Sequence, residues 1–269
     1  MLQKEKKLIV VGDPIEDIYA TVEDGKTLDT CIVPGGASNT FVNVQSLLSN
    51  ENVFNNIHFV PELIFTNKYL YKILRLNNQP DIHLCKTVNK ENYYSDIQYT
   101  TQRQLNLLLD KSDYKSVLVF SDYNKGTLNL RILRYRGISK IKLAIVDSKY
   151  SSLHNSLFDF ADFYIWRCTG DEYNVDFAKN FNYIIWTDGP NPIKLLDKNQ
   201  NLIKTFDIPL TPVINTCGAG DTFTASLASY MFKYLSLEID NIEKAIHFSI
   251  KASLNVIQKE KTAITNIKI

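Results

Sequence analysis

Short apolar runs that stop abruptly at polar or turn residues recur along this chain, and they constrain its fold more than any other feature. Leu8–Val11 is followed by Gly12-Asp13, Val117–Phe120 by Ser121-Asp122-Tyr123, and Leu143–Val146 by Asp147-Ser148-Lys149. Phe163–Trp166 meets Arg167-Cys168-Thr169, and Tyr183–Trp186 meets Thr187-Asp188-Gly189. Runs of this length without alternation suit parallel strands buried on both faces. Helix-length stretches such as Thr127–Arg136 and Asp171–Asn180 lie between them. The pattern predicts a three-layer α/β/α domain with a doubly wound, mostly parallel sheet. Ligands of such sheets bind at the carboxyl ends of the strands, where these polar clusters fall.

Two regions read differently. Residues 15–33 and 63–98 hold shorter segments rich in Tyr, Thr, Ile and Val, punctuated by Asp24-Gly25 and Asn77-Asn78-Gln79-Pro80. They predict a small β-lid made from two separated pieces of chain. No repeat, low-complexity tract or linker divides the sequence, so residues 1–269 read as a single domain.

Composition narrows the function. With 45% hydrophobic and 22% charged residues and a net charge of +1, the chain carries no global field that selects nucleic acid or anionic lipid. The basic opening Met1–Lys7 leads into an apolar run too short for a signal peptide or a membrane span. The four cysteines lie far apart with no CxxC pair, and His58, His83, His154 and His247 show no ligand spacing. Reduced thiols and a cytoplasmic setting are the expectation.

The richest chemistry lies at Asn215–Tyr234. After Cys217-Gly218-Ala219-Gly220-Asp221, apolar residues recur at helical spacing (Phe223, Leu227, Tyr230, Met231, Tyr234), so a long helix begins at the glycines. Its first amides have no intrahelical partners and form a ready anion site, helped by the helix dipole. An acid facing a bound phosphate there suits a general base that takes a proton from an attacking hydroxyl. The plainer alternative is that Asp221 only complements the dipole and the glycines only turn the chain.

Cys217-Gly218-Ala219-Gly220-Asp221-Thr222-Phe223 resembles the GAGD signature of ribokinase-like (PfkB-type) sugar kinases. In that family the glycine-flanked amides form an anion hole and the aspartate is the catalytic base, which implies Gly218, Ala219, Gly220 and Asp221 here. Pro34-Gly35-Gly36-Ala37-Ser38-Asn39 is similar to the family's substrate-side glycine pair, which leads into a first long helix at about Ala37–Leu48. Val10-Val11-Gly12-Asp13 through Asp17 resembles its first motif, so Asp17, Gly35, Gly36 and Asn39 are implied as sugar-binding residues.

Ser121-Asp122-Tyr123-Asn124-Lys125-Gly126 and Val146-Asp147-Ser148-Lys149 look like segments of bacterial D-glycero-D-manno-heptose-7-phosphate kinases. That likeness implies Lys125 on the substrate and Lys149 on the nucleotide side. Thr169-Gly170-Asp171-Glu172 sits where the family has N-x-x-E, whose glutamate helps organise magnesium. Thr187-Asp188-Gly189 matches the start of its T-x-G nucleotide loop. The resemblance therefore implies ATP and Mg²⁺, with Thr169, Glu172, Thr187 and Gly189 near the nucleotide and Glu172 at the metal. Trp166 and Trp186 read as core residues rather than adenine platforms.

Three departures stand out. Asn215 replaces the acid associated with a monovalent-cation site, which leaves cation activation open. No glycine occurs between Ala37 and Lys125, and one βα unit after the first long helix reads as lost or shortened. The family's late K-x-G-T segment appears as Lys259-Glu260-Lys261-Thr262, which changes backbone freedom near the nucleotide. Three readings follow: a sugar or sugar-phosphate kinase acting on heptose 7-phosphate at its anomeric hydroxyl, a kinase for another sugar or a nucleoside, or a non-catalytic binding protein on the same fold. Related kinases pair through their lids, and a lid sheet has edges to cover, so a homodimer is the expectation, with a monomer as the alternative.

Overall fold

A computed structural model describes residues 4–23, 26–60, 71–76, 82–84, 90–128, 140–148 and 155–269. The chain forms β1 (Leu8–Gly12), β2 (Pro14–Glu23), β3 (Lys26–Gly35), α1 (Gly36–Leu47), β4 (Ile57–Val60), β5 (Tyr71–Leu76) and β6 (Ile82–Leu84). There follow α2 (Lys90–Asp110), β7 (Val117–Asp122), β8 (Ile141–Ser148), β9 (Ala161–Thr169), α3 (Val175–Ala178) and β10 (Tyr183–Asp188). The last elements are β11 (Asn191–Asp197), β12 (Leu202–Phe206), α4 (Ala219–Lys233) and α5 (Ile239–Ile257).

Eight strands make one sheet in the order β12-β11-β10-β9-β8-β7-β1-β4. From β4 to β10 neighbouring strands are parallel, and β11 and β12 add an antiparallel edge. Every apolar run singled out in the sequence is a strand of this sheet. The runs do not alternate because both faces are covered. Leu8, Val10, Val119, Ile145 and Ile165 enter one core with α4 and α5, while Ile9, Val11, Phe120, Val146 and Trp166 enter the other. The sheet is the doubly wound α/β/α arrangement that the sequence predicts.

From β1 the chain crosses to β4 on one side and later continues through β7 to β10 on the other. The strand order therefore reverses between β1 and β7, which is where an open α/β sheet offers its binding crevice. Helix α4 aims its first turn at that edge. Small residues Ala225, Ser226, Ala228 and Ser229, all fully buried, let it lie close to the sheet and its neighbours.

A second, four-stranded sheet has the order β3-β2-β5-β6 and joins the two pieces of chain expected to form a lid. The second piece, 63–98, overran that sheet. Its last described strand is β6, and from Lys90 the chain is helical, with Ile97, Thr101, Leu105 and Leu109 buried at every fourth position. That period places one stripe of α2 on the main sheet.

The shortened βα unit keeps its strand. Between α1 and the small sheet the chain still contributes β4 to the edge of the main sheet, paired with β1 from Leu8↔Ile57 to Val11↔Val60. Two other expectations give way to local chemistry. Asp171–Asn180 yields only a 3₁₀ turn at Gly170–Glu172 and the four-residue α3. The β-prone stretch Phe206–Ile214 leaves the sheet after Phe206, because Pro209 and Pro212 lack the N–H a ladder needs. The helix expected at Thr127–Arg136 falls mostly outside the described residues.

Candidate active site

The expected anion site begins with Gly218. This residue adopts φ 82, ψ −1, a left-handed conformation that glycine takes without steric cost, and it is the N-cap of α4. Ala219 N–H turns back to the carbonyl of Thr216 (3.2 Å), and the first intrahelical bond runs from Thr222 N–H to the carbonyl of Gly218 (2.9 Å). Between them stand the amides of Gly220 and Asp221, the two donors at the start of the helix that precede its ladder. Of the expected Gly218–Asp221 anion hole, the Ala219 donor is already used.

Asp221 is buried, at 4% exposure, and its carboxylate is held from two sides. Asn39 Nδ2 donates to Oδ2 (3.1 Å), and the hydroxyl of Tyr123 donates to Oδ1. The Asn39 amide is oriented in turn by Asn43, whose Nδ2 donates to Asn39 Oδ1 (2.9 Å), while Asn43 Oδ1 accepts from Thr265 N–H (2.9 Å). A chain of hydrogen bonds thus runs from the C-terminal segment through α1 to the acid of α4. Burial pushes the Tyr123 phenol well above its ordinary value, and the charge of Asp221 adds to it, so the hydroxyl stays a donor.

Tyr123 is positioned by Asp13, which is fully buried at the end of β1. The Asp13 carboxylate accepts the N–H groups of Tyr123 (2.8 Å), Lys125 (2.9 Å) and Thr127 (2.9 Å). One carboxylate therefore shapes the whole loop after β7 and ties the β1 and β7 ends together at the switch point. Next to it, Asp122 accepts from Asn124 N–H (2.8 Å) and from the Ser148 hydroxyl (3.1 Å). Burial, with the nearby charge of Asp13, pushes the Asp122 carboxyl up to about 6.

On the small-sheet side, Asp17 is buried, at 2% exposure, and each of its oxygens accepts a bond. Arg75 Nη2 donates to its Oδ1 (3.0 Å) and Thr262 Oγ1 to its Oδ2 (2.7 Å). The Thr262 hydroxyl also lies 2.9 Å from that of Tyr19. Gly35 ends β3 and Gly36 opens α1, so the glycine pair joins the small sheet to the helix that carries Asn39.

The residues implied on the nucleotide side lie at the ends of β9 and β10. Thr169 and Glu172 form a reciprocal capping box, with Glu172 Oε2 accepting from Thr169 N–H (2.8 Å). The Thr187 hydroxyl donates to the Cys168 carbonyl (3.1 Å), and exposed Gly189 (φ 53) turns β10 into β11. Lys125 sits half-buried in the loop after β7, and Lys149 lies outside the described residues. Trp166 is fully buried, and Trp186 stacks on Tyr173 at 4.8 Å, both on the sheet face opposite α4. Among the described residues no three His, Cys, Asp or Glu side chains cluster as a metal site, and no helix is long and apolar enough to cross a membrane.

Sequence reasoning missed Tyr123 as a site residue, along with Asn43, Arg75, Thr262 and Arg167. Arg167 is the most informative omission. Its Nη1 donates to Asp147 Oδ1 (3.1 Å), whose Oδ2 accepts from the Thr224 hydroxyl of α4 (2.6 Å). A charged side chain at the end of a strand buried on both faces was the available signal.

Comparison with known proteins finds no matching family model and no matching curated protein. Solved structures do match over nearly the whole chain. The nucleoside kinase of Methanocaldococcus jannaschii, described as an archaeal member of the ribokinase family, is similar at 14% identity, 99% coverage of this chain, 96% of that chain and a TM-score of 0.62. Phosphofructokinase-2 from Escherichia coli, in complex with substrates and products, is similar at 15% identity, 97% and 96% coverage and a TM-score of 0.62. Ribokinase from Arabidopsis thaliana, complexed with ribose and ATP, is similar at 14% identity, 97% and 96% coverage and a TM-score of 0.56. At these identities the likeness is one of architecture, and the chain has the ribokinase-like α/β fold.

Proposed function

We propose that this chain is an ATP-dependent kinase that phosphorylates a hydroxyl of a sugar or sugar phosphate. The observation that carries the reading is Asp221, a buried acid in the first turn of α4, held by Asn39 and Tyr123 beside the amides that precede the helical ladder. Asp221 removes the proton of the attacking hydroxyl, a role worth about 10²–10⁴ in rate. The Gly220 and Asp221 amides stabilise charge on the transferring group, and losing one donor from such a hole costs about 10²–10³. Glu172 would hold the magnesium that accompanies ATP, and the ion would supply charge neutralisation at the phosphates. Asn39 and Asp17 hold the sugar side, and the small sheet closes over it to exclude water.

For the acceptor we favour a phosphorylated sugar, heptose 7-phosphate at the anomeric hydroxyl, on the likeness of the loop after β7 and its Lys125. Within this proposal the enzyme is cytoplasmic and pairs with a second copy through the small sheet. The shortened βα unit and Asn215, which stands where the ribokinase-like kinases have an acid, favour the second reading, a binding protein without turnover.

The test is ADP release from Mg-ATP across phosphorylated and free heptoses, hexoses and nucleosides, with Asp221→Asn as control. Turnover on one acceptor that vanishes in the variant supports the kinase. Bound ATP with silence across the panel supports the binding protein.

A further inference from the structure

Arg167 lies against the first turn of α4 at a site where a charged side chain is costly. Its side chain is 12% exposed, and the opposing Asp147 carboxylate is 7% exposed. A Cβ added to Gly220 would meet Arg167 Nη2 at 2.9 Å and Nη1 at 3.2 Å, so the guanidinium lies directly on the helix start. Asp147 takes one of its five donors, and the buried Nε has no partner among the described residues. Burial would pull this guanidinium down, but the charges of Asp147 and Glu172 outweigh it.

A structural ion pair would normally satisfy its buried donors. Here the pair instead fixes a cation against Gly220, in the turn of α4 that carries the acid Asp221. The absence of a side chain at Gly220 is what lets the cation come so close.

We propose that Arg167 is a catalytic residue that donates to the equatorial oxygens of the phosphoryl group in transfer, a role that rests on the kinase reading above. In that step the acceptor oxygen forms a bond to the γ-phosphorus and its proton passes to Asp221. The bond from that phosphorus to the bridging oxygen breaks, and ADP leaves with the electron pair. Negative charge on the transferring group is greatest at that moment, so a planar, permanently charged fork there lowers the barrier rather than merely binding ATP.

The test uses the full chain as Arg167→Lys, Arg167→Met and the double variant Arg167→Met with Asp147→Asn, which leaves no unpaired buried charge. The expected result is a 10²-fold or greater loss of kcat in the variants that lack the guanidinium, with KM for acceptor and ATP changed far less. Free guanidinium at millimolar concentration should restore part of the rate in the double variant. Affinity for Mg-ADP with aluminium fluoride and acceptor should fall in parallel, while ATP affinity falls little.

Active wild-type protein with a double variant within about threefold of its kcat would overturn the role of Arg167 and leave the kinase intact. Wild-type protein silent on every acceptor would sink the kinase reading itself. A thermal-shift titration with inorganic tripolyphosphate needs no acceptor. Protection that is lost in the double variant supports the cation at the anion site, and equal protection of both proteins overturns it.

Discussion

The phenol of Tyr123 donates to the same carboxylate, Asp221, that Asn39 holds from the other side. Tyr123 comes from the loop after β7, Asn39 from α1 and Asp221 from α4, so three elements converge on one acid. A carboxylate oxygen keeps a second lone pair after accepting one bond, and the two donors fix its orientation, which under the kinase reading faces the acceptor hydroxyl. Tyr123→Phe should therefore lower kcat/KM by about 10–100-fold, the worth of a bond to a charged group. The bond favours the ionised carboxylate, so its loss should also move the acid limb of the pH–rate profile to higher pH. A profile that falls in height without moving would show that the hydroxyl does not act on the base.

Asp122 makes folding sensitive to pH. Its carboxyl sits at about 6 in the folded chain, raised by burial and then by Asp13, against about 3.9 in an unfolded chain. Below pH 4 both states are protonated and the contribution is fully present. Between about 4 and 6 the unfolded state gives up its proton first, so stability falls as pH rises and then levels off. Asp122→Asn can keep both hydrogen bonds without a charge. Its stability relative to wild type should grow by ~3 kcal/mol between pH 4 and 7, as measured by urea unfolding across that range.

Asp13 holds its loop through three backbone N–H groups. Asp13→Ala leaves those donors without their acceptor in a buried place. Unfolding free energy should drop by about 3 kcal/mol or more. Turnover should fall as well, because Tyr123 and Lys125 lose the frame that sets their positions. A variant with wild-type melting temperature would show that water replaces the carboxylate.

Lys261 has φ 61, a left-handed backbone in a residue with a side chain. It stands where the K-x-G-T segment of the ribokinase-like kinases has glycine, so the backbone keeps a shape that the side chain opposes. That conformation costs an L-residue roughly 1–2 kcal/mol, and glycine gives part of the gain back as unfolded-state entropy. Lys261→Gly should stabilise the chain by about 0.5–1 kcal/mol in chemical denaturation.

Much of the architecture was legible in the sequence because burial on both faces leaves a local mark. Leu8–Val11, Val117–Phe120, Leu143–Val146, Phe163–Trp166 and Tyr183–Trp186 suited non-alternating strands, and each is one. Gly218 and Gly220 before an apolar helical repeat marked the start of α4 for the same reason. Where the signal was composition alone it failed. The β-prone residues after Phe206 could not be told from a proline-broken loop, and 90–98 looked like lid because its apolar positions were read as strand rather than as the stripe from Ile97 to Leu109.

The site divided along the same line. Asp221, Asn39 and Asp17 lie in short motifs, so local sequence pointed to them. Tyr123, Arg75, Thr262 and Arg167 act across separations that no motif spans; Thr262 meets Asp17 from 245 residues away. The sequence by itself determined the layered sheet and the acid at a glycine-flanked helix start, because periodicity and glycine geometry are properties of neighbouring residues. Only the tertiary structure decided what surrounds that acid. A carboxylate's partners are set by which strand ends the sheet brings to one edge, and that depends on strand order rather than on any stretch of chain.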